Sequence, residues 1–396
     1  MVAASDLKSD EFFVPVRVRP LAPLQMNLEP YKNCLALTKA VHINNNMSAP
    51  YRPCCWYGTH VSADSWDEYQ SKINNLDVET NCKHCIDQDL AGIPSHKENF
   101  NDPDQLVFGV FFDNVCNLKC VTCGPANSTQ WIKDYNLLRP HEDTKSWVKL
   151  QTYTDSKIVF IKSTLANSNF KKLRLELYGG EPLIGVSILE FLDWLYEQPY
   201  ANQTHIVVAT NGTKYLPKIE KYIDKFGFSI NFSIDGIDNT FEYLRTNAVF
   251  TEVESNIDRY MEFRKKYDGR ISFGFNYTLS WMNSLHFADF YNWVFTRYPN
   301  TNVDITVLKG PNFLSINTLS LEKRKLICDT AYNRMKQFSD DKANKVKKEF
   351  QLVMCTETTP EGSYIEGHEY LTKLDSIRSK NYKELFEEVI YIIEGK

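Results

Sequence analysis

Three cysteines, Cys116, Cys120 and Cys123, fall within the stretch DNVCNLKCVTCGP. Their Cys-x3-Cys-x2-Cys spacing offers three thiolates to a cubane [4Fe–4S] cluster and leaves one iron without a protein ligand, open to a substrate or cofactor. A structural zinc site would want a fourth Cys or His. The nearest downstream histidine, His141, lies beyond a predicted helix. A second group of cysteines precedes the loop: Cys34, the adjacent Cys54 and Cys55, and the pair Cys82 and Cys85. Four of them complete either an iron–sulfur cluster or a tetrahedral zinc site, and spacing alone does not separate the two. His84 and His60 are substitute ligands in the zinc case. The two late cysteines, Cys328 and Cys355, stand isolated and are expected to be ordinary buried thiols.

The elements that must position the loop are legible as alternating runs. Strand-like segments occupy 105–113, 172–180, 205–212, 228–236, 271–280 and 303–310. Amphipathic stretches such as GVSILEFLDWLYEQ and VESNIDRYMEFRKKY lie between them, with apolar residues recurring at three and four. This alternation predicts an α/β fold with a parallel sheet and helices outside. Several strands end in polar or glycine-rich motifs: DNVCN, YGGEP, ATNG and SIDG. The carboxyl ends of parallel strands share one face, so these distant motifs converge on one site.

The flanks differ in kind. Residues 1–98 scatter Pro, Asn and Cys and read as a small cysteine-rich module that needs metal to hold together. Residues 99–318 hold the barrel strands, and 319–396 read as a helical extension that packs without chemistry of its own. Apolar residues make up 43% of the 396, enough for a large core, and no apolar run approaches the length of a spanning helix. The start, MVAASDLKSDEFF, lacks a basic lead and an apolar block, so a secretory signal is not expected and a cytoplasmic setting is. A net charge of −5 speaks against bulk electrostatic binding of nucleic acid.

CNLKCVTC, with YGGEP, ATNG and SIDG in this order and spacing, resembles the radical S-adenosylmethionine (SAM) superfamily over roughly residues 105–310. The likeness implies a partial (β/α)6 barrel in which Cys116, Cys120 and Cys123 hold a [4Fe–4S] cluster whose open iron binds SAM. By position, Gly179, Gly180 and Glu181 would receive the methionine ammonium. Asn211, Ser233 and Asp235 would sit near the ribose and methionyl carboxylate. The residue before the last ligand is often aromatic in that superfamily, whereas this chain has Thr122. RPCCWY and NCKHCIDQDLAGI further resemble a twitch module, which implies an auxiliary [4Fe–4S] cluster on Cys34, Cys54, Cys82 and Cys85, with zinc as the alternative.

The implied chemistry is reductive cleavage of SAM to a 5′-deoxyadenosyl radical that abstracts hydrogen from a substrate. An electron donor such as flavodoxin or ferredoxin is the implied partner. A peptide or protein side chain is the favoured substrate, and a small molecule such as a sugar or aminocyclitol, dehydrogenated or epimerised, is the alternative. A zinc-stabilised scaffold without chemistry is the remote third.

Overall fold

The computed structural model describes residues 27–44, 50–90, 95–142, 154–267, 269–356 and 362–395. The opening MVAASDLKSDEFF and the last three residues of NCKHCIDQDLAGI lie outside them. Six strands follow the predicted runs closely: β3 (Gln105–Phe111), β4 (Lys172–Tyr178), β5 (Thr204–Thr210), β6 (Gly227–Ser233), β7 (Ile271–Leu279) and β8 (Asn302–Val307). They pair in parallel and in sequence order. The two end strands of the row do not meet, so the sheet is an open, partial barrel.

Period-two patterning sorts the side chains onto two faces. Ile206 and Val208 of β5, and Phe228, Ile230 and Phe232 of β6, are buried on the outer face. There Phe232 meets Tyr260 of the helix Phe250–Lys266, and Tyr277 of β7 meets Phe290 of the helix Phe287–Arg297. The opposite face is polar. Arg174, His205, Ser229, Asn231, Ser272 and Asp304, drawn from five strands, line a cavity of about 970 Å³. His205 Nε2 and Ser229 Oγ lie 2.8 Å apart, and Ser229 Oγ lies 2.7 Å from Ser272 Oγ. Parallel strands covered on both faces usually read as unbroken apolar runs. Here the alternation marks an interior that admits water or a polar guest.

Two strands were not foreseen. β1 (Ala40–Ile43) runs parallel to β3, with Ala40 opposite Val107 and Ile43 opposite Val110, and β2 (Tyr51–Arg52) pairs antiparallel outside β1. The cysteine-rich segment is thus built onto the edge of the barrel sheet. Two of its helices start where side chains cap them. Ser65 Oγ accepts from Glu68 N before the helix Trp66–Asn74, and Asp77 accepts from Glu79 and Thr80 N before Val78–Asn81.

The C-terminal region is helical, as expected. The stretch EYLTKLDSIRSKNYKELFEEVIYII forms three pieces, because Ser379 turns left-handed (φ 53°) and ends the helix Tyr364–Arg378. Among the described residues no helix is long and apolar enough to cross a membrane.

Candidate functional site

The three-cysteine loop leaves the carboxyl end of β3 and is held from several sides. Lys119 N donates to Thr246 O (3.1 Å) and Val121 N to Leu244 O (2.7 Å), fastening the loop to the chain after β6. Trp131 Nε1 donates to Cys120 O (2.8 Å). The C-terminal extension also reaches it: Arg378 Nε donates to Asp134 Oδ2 (2.7 Å), Asp134 pairs with Lys119 (2.9 Å), and the Arg378 guanidinium lies 4.3 Å above the Trp131 ring. These contacts hold the loop in place from several sides.

Cys116 and Cys120 are buried and Cys123 partly so. Each of the three thiols lies in the electrostatic field of another. Burial pushes the Cys116 thiol up to about 12. A bound metal's charge is what deprotonates such thiols. Arg245 supplies positive charge here. Its guanidinium pairs with Asp235 Oδ2 (2.8 Å), faces Cys120 and Cys123, and keeps a buried Nε with no partner among the described residues. A donor of that kind beside three thiols fits an anionic iron–sulfur cluster.

The strand-end motifs gather as expected. Gly179 (φ 133°) and Gly180 press against the cysteine loop: Gly180 N donates to Asp113 O (3.0 Å) and Glu181 N to Val115 O (2.8 Å). A Cβ on Gly180 would stand 2.2 Å from Val115 O, so no other residue fits. Glu181 is 2% exposed, and its carboxylate accepts from Thr210 Oγ1 (2.7 Å), Asn211 N (2.6 Å) and Leu183 N (3.2 Å). It joins the ends of β4 and β5, and burial raises its pKa. Asn211 Nδ2 donates to Asn117 Oδ1 (3.0 Å) and lies 4.0 Å from Cys116 Sγ, and its Oδ1 accepts from Thr213 N (2.9 Å). Asp235 Oδ1 accepts from Thr278 N (2.9 Å) at the mouth of β7. Ser233 closes β6 opposite Asn276.

The early cysteines also meet. Cys34, Cys54, Cys82 and Cys85 line one cavity with Tyr31, Leu37, Trp56, Tyr57 and Phe100. Backbone N–H groups of Ala36, Trp56, Tyr57, His96 and Lys97 point at three of the sulfurs. Burial pushes Cys54 and Cys82 up to about 12. Four thiols around one cavity offer ligands to either an iron–sulfur cluster or a tetrahedral zinc ion. Cys55 points elsewhere, with Sγ 3.4 Å from His96 Nε2. His84 stacks on Trp56 and His60 is not among the residues lining the cavity.

Sequence reasoning missed Arg245, Asn117 and Arg378. Arg245 follows SIDG by nine residues, as the C-cap of the short helix Asp238–Leu244, and only the fold turns it toward the thiols.

An open parallel α/β barrel with a three-cysteine loop and three further motifs at successive strand ends is the arrangement that the sequence resemblance to the radical SAM superfamily implies. No family model matches the chain. It is similar to the radical SAM cyclopropyl synthase TigE of Paramaledivibacter caminithermalis, at 24% identity over 160 residues, which is 40% of this chain and 33% of that protein. The matched stretch thus spans about a third of the relative's length. Solved structures it matches include anSMEcpe with bound AdoMet and the Cp18Cys peptide (TM-score 0.38, 18% identity, 58% of each chain). A histidine-tagged form of anSMEcpe with bound AdoMet also matches (TM-score 0.40, 16% identity, 58% of this chain and 57% of that one).

Proposed function

We propose that this protein is a radical SAM enzyme that acts by hydrogen abstraction, with a peptide or protein side chain as substrate. The observation that carries the reading is the convergence of Cys116, Cys120 and Cys123 with the ends of β4, β5 and β6 around the unpartnered Arg245 Nε. When bound, a [4Fe–4S] cluster on the three thiolates, with SAM at its open iron, supplies the 5′-deoxyadenosyl radical. The chain's own residues do the rest. Arg245 offsets the negative charge gathered on the thiolates, and Asp235 holds Arg245 in place. Asn117 and Asn211 present amide groups beside Cys116, where the ribose and methionyl groups would lie. Gly179 and Gly180 let the β4 end approach the loop. Glu181 keeps the β4 and β5 ends in register, and its carboxylate would meet the SAM ammonium.

The buried four-cysteine set would hold an auxiliary [4Fe–4S] cluster closed to outside ligands, suited to passing electrons. A flavodoxin- or ferredoxin-like donor would supply them. The alternative substrate is a small molecule bearing hydroxyl or amino groups, such as a sugar or aminocyclitol. The test is anaerobic purification, chemical reduction, and detection of 5′-deoxyadenosine from SAM by mass spectrometry. Iron-loaded protein that yields none would overturn the proposal. Deuterium transferred into 5′-deoxyadenosine from labelled peptides or labelled sugars would choose between the substrates.

A further inference from the structure

The two cysteines expected to be isolated are neighbours in space. Cys328 lies in the helix Leu321–Arg334 and is fully buried, while Cys355 ends the helix Asp341–Cys355 and is half-buried. The two helices pack on each other, and each thiol lies in the electrostatic field of the other. One turn before Cys328 stands Arg324, 2% exposed, whose Nε and Nη1 have no partner among the described residues. A guanidinium buried without an acceptor is costly, so the place calls for an anion. The charge that Arg324 feels there is that of Cys355.

We infer that Cys328, Cys355 and Arg324 form an oxidisable thiol site, reactive toward two-electron oxidants of the peroxide class and closing to a disulfide. Cys355 is the attacking thiolate, because it is reachable and faces the guanidinium. Its sulfur attacks one peroxide oxygen, the O–O bond breaks, and water leaves after protonation. Cys328 then attacks the resulting sulfenic sulfur, gives up its proton, and a second water leaves. The two thiols lose two electrons, which the peroxide gains.

The surrounding charges agree with these roles. The neighbouring Cys328 thiol, Lys325 and Arg324 lower the Cys355 thiol to about 7, against burial and Asp329. The proton is held on Cys328, which is raised by Cys355 and by burial. Two inert core thiols would leave the orphan guanidinium without a reason.

The test needs no substrate and no SAM, so it stands apart from the radical reading. Full-length protein, isolated anaerobically, is exposed to hydrogen peroxide, blocked with N-ethylmaleimide and mapped by mass spectrometry without reductant. A Cys328–Cys355 linked peptide is expected. In Cys328→Ser, dimedone is expected to trap a sulfenic acid on Cys355. Iodoacetamide labelling of Cys355 in the unaltered protein should show a midpoint near pH 7. At pH 7 the rate should fall about twofold in Arg324→Met, because Arg324 is a lesser influence on Cys355 than Cys328 and Lys325. Absence of the linked peptide, or a labelling midpoint at the ordinary thiol value above 8, would overturn the site. Both readouts on the unaltered chain hold even if Arg324→Met fails to fold.

Discussion

The two cysteine sites solve opposite problems with the same side chain. At the barrel mouth, three thiols share their surroundings with a guanidinium, two asparagines and the ends of several strands. At the N-terminal edge, four thiols sit in a cavity walled mainly by apolar and aromatic residues, Tyr31, Leu37, Trp56, Tyr57 and Phe100 among them, with Asn81, His96 and Lys97 as its polar side chains. Charged and amide groups at the first site can grip a ligand that comes and goes. Aromatic walls at the second exclude one. Under the proposed function, the three-thiol set among polar groups would serve the chemistry and the four-thiol set would retain its cluster.

The sharpest way to break this contrast is to remove one site at a time. Cys116, Cys120 and Cys123 changed together to Ala should abolish SAM cleavage and leave about half the iron, since the other site keeps its own cluster. Iron and acid-labile sulfide analysis beside 5′-deoxyadenosine yield reads both. One zinc per chain with little iron would instead make the early site structural. At that site, Cys54→Ser should lose about half the iron. Cys55→Ser, aimed at His96, should lose none.

The charged character of the mouth is tested by Arg245→Met. It strands Asp235, 3% exposed, without its cation and should cost about 3–5 kcal/mol in anaerobic urea unfolding. An unchanged midpoint would mean the pair is idle. Glu181→Gln should cost about 1–3 kcal/mol, because one amide end meets the Asn211 or Thr210 donor. It should also weaken SAM binding by roughly tenfold by calorimetry. A loss of stability with unchanged SAM affinity would leave Glu181 a strut alone.

The smallest effect concerns His42 on β1, between the two sites. Burial, opposed by Glu176, lowers its pKa to about 4, below the 6.5 of an unfolded chain. The unfolded state therefore binds the extra proton between these values. Stability from this group is complete above pH 6.5 and lost as pH falls toward 4. From pH 7.5 to 5.5 the loss should be about 1 kcal/mol, and His42→Gln should flatten that share of the slope.

How much of this was written in the sequence depends on distance along the chain. β3 to β8 were legible because each is a run of six to nine residues with its own period and polar ending. The three-cysteine loop was legible because its ligands are contiguous. β1 was not. AVHI is four residues long, and its partner Val107 to Val110 lies more than sixty residues on, so no local pattern announces it. Arg245 and Arg378 were hidden for the same reason, being ordinary helix-end cations until folding turns them toward the loop. Cys328 and Cys355 read as isolated because two helices, and not a motif, bring them together. The meeting of Cys34, Cys54, Cys82 and Cys85 was suggested by number and spacing. The choice between Cys54 and Cys55 needed the turn after β2.

The parallel pairing of β1 with β3 also sets an order of events during synthesis. β1 leaves the ribosome with Cys34 behind it, but its partner is complete only when Phe111 has been made. At ordinary elongation rates the interval is on the order of ten seconds. For that time Cys54, Cys82 and Cys85 emerge onto an edge with nothing to rest on, and Phe100, a wall of their cavity, is itself late. The residues that line the four-cysteine cavity, from Tyr31 to Phe100, are all made before β3, whereas β1 gains its sheet partner only with the barrel, and the barrel deprived of β1 would expose the edge of β3.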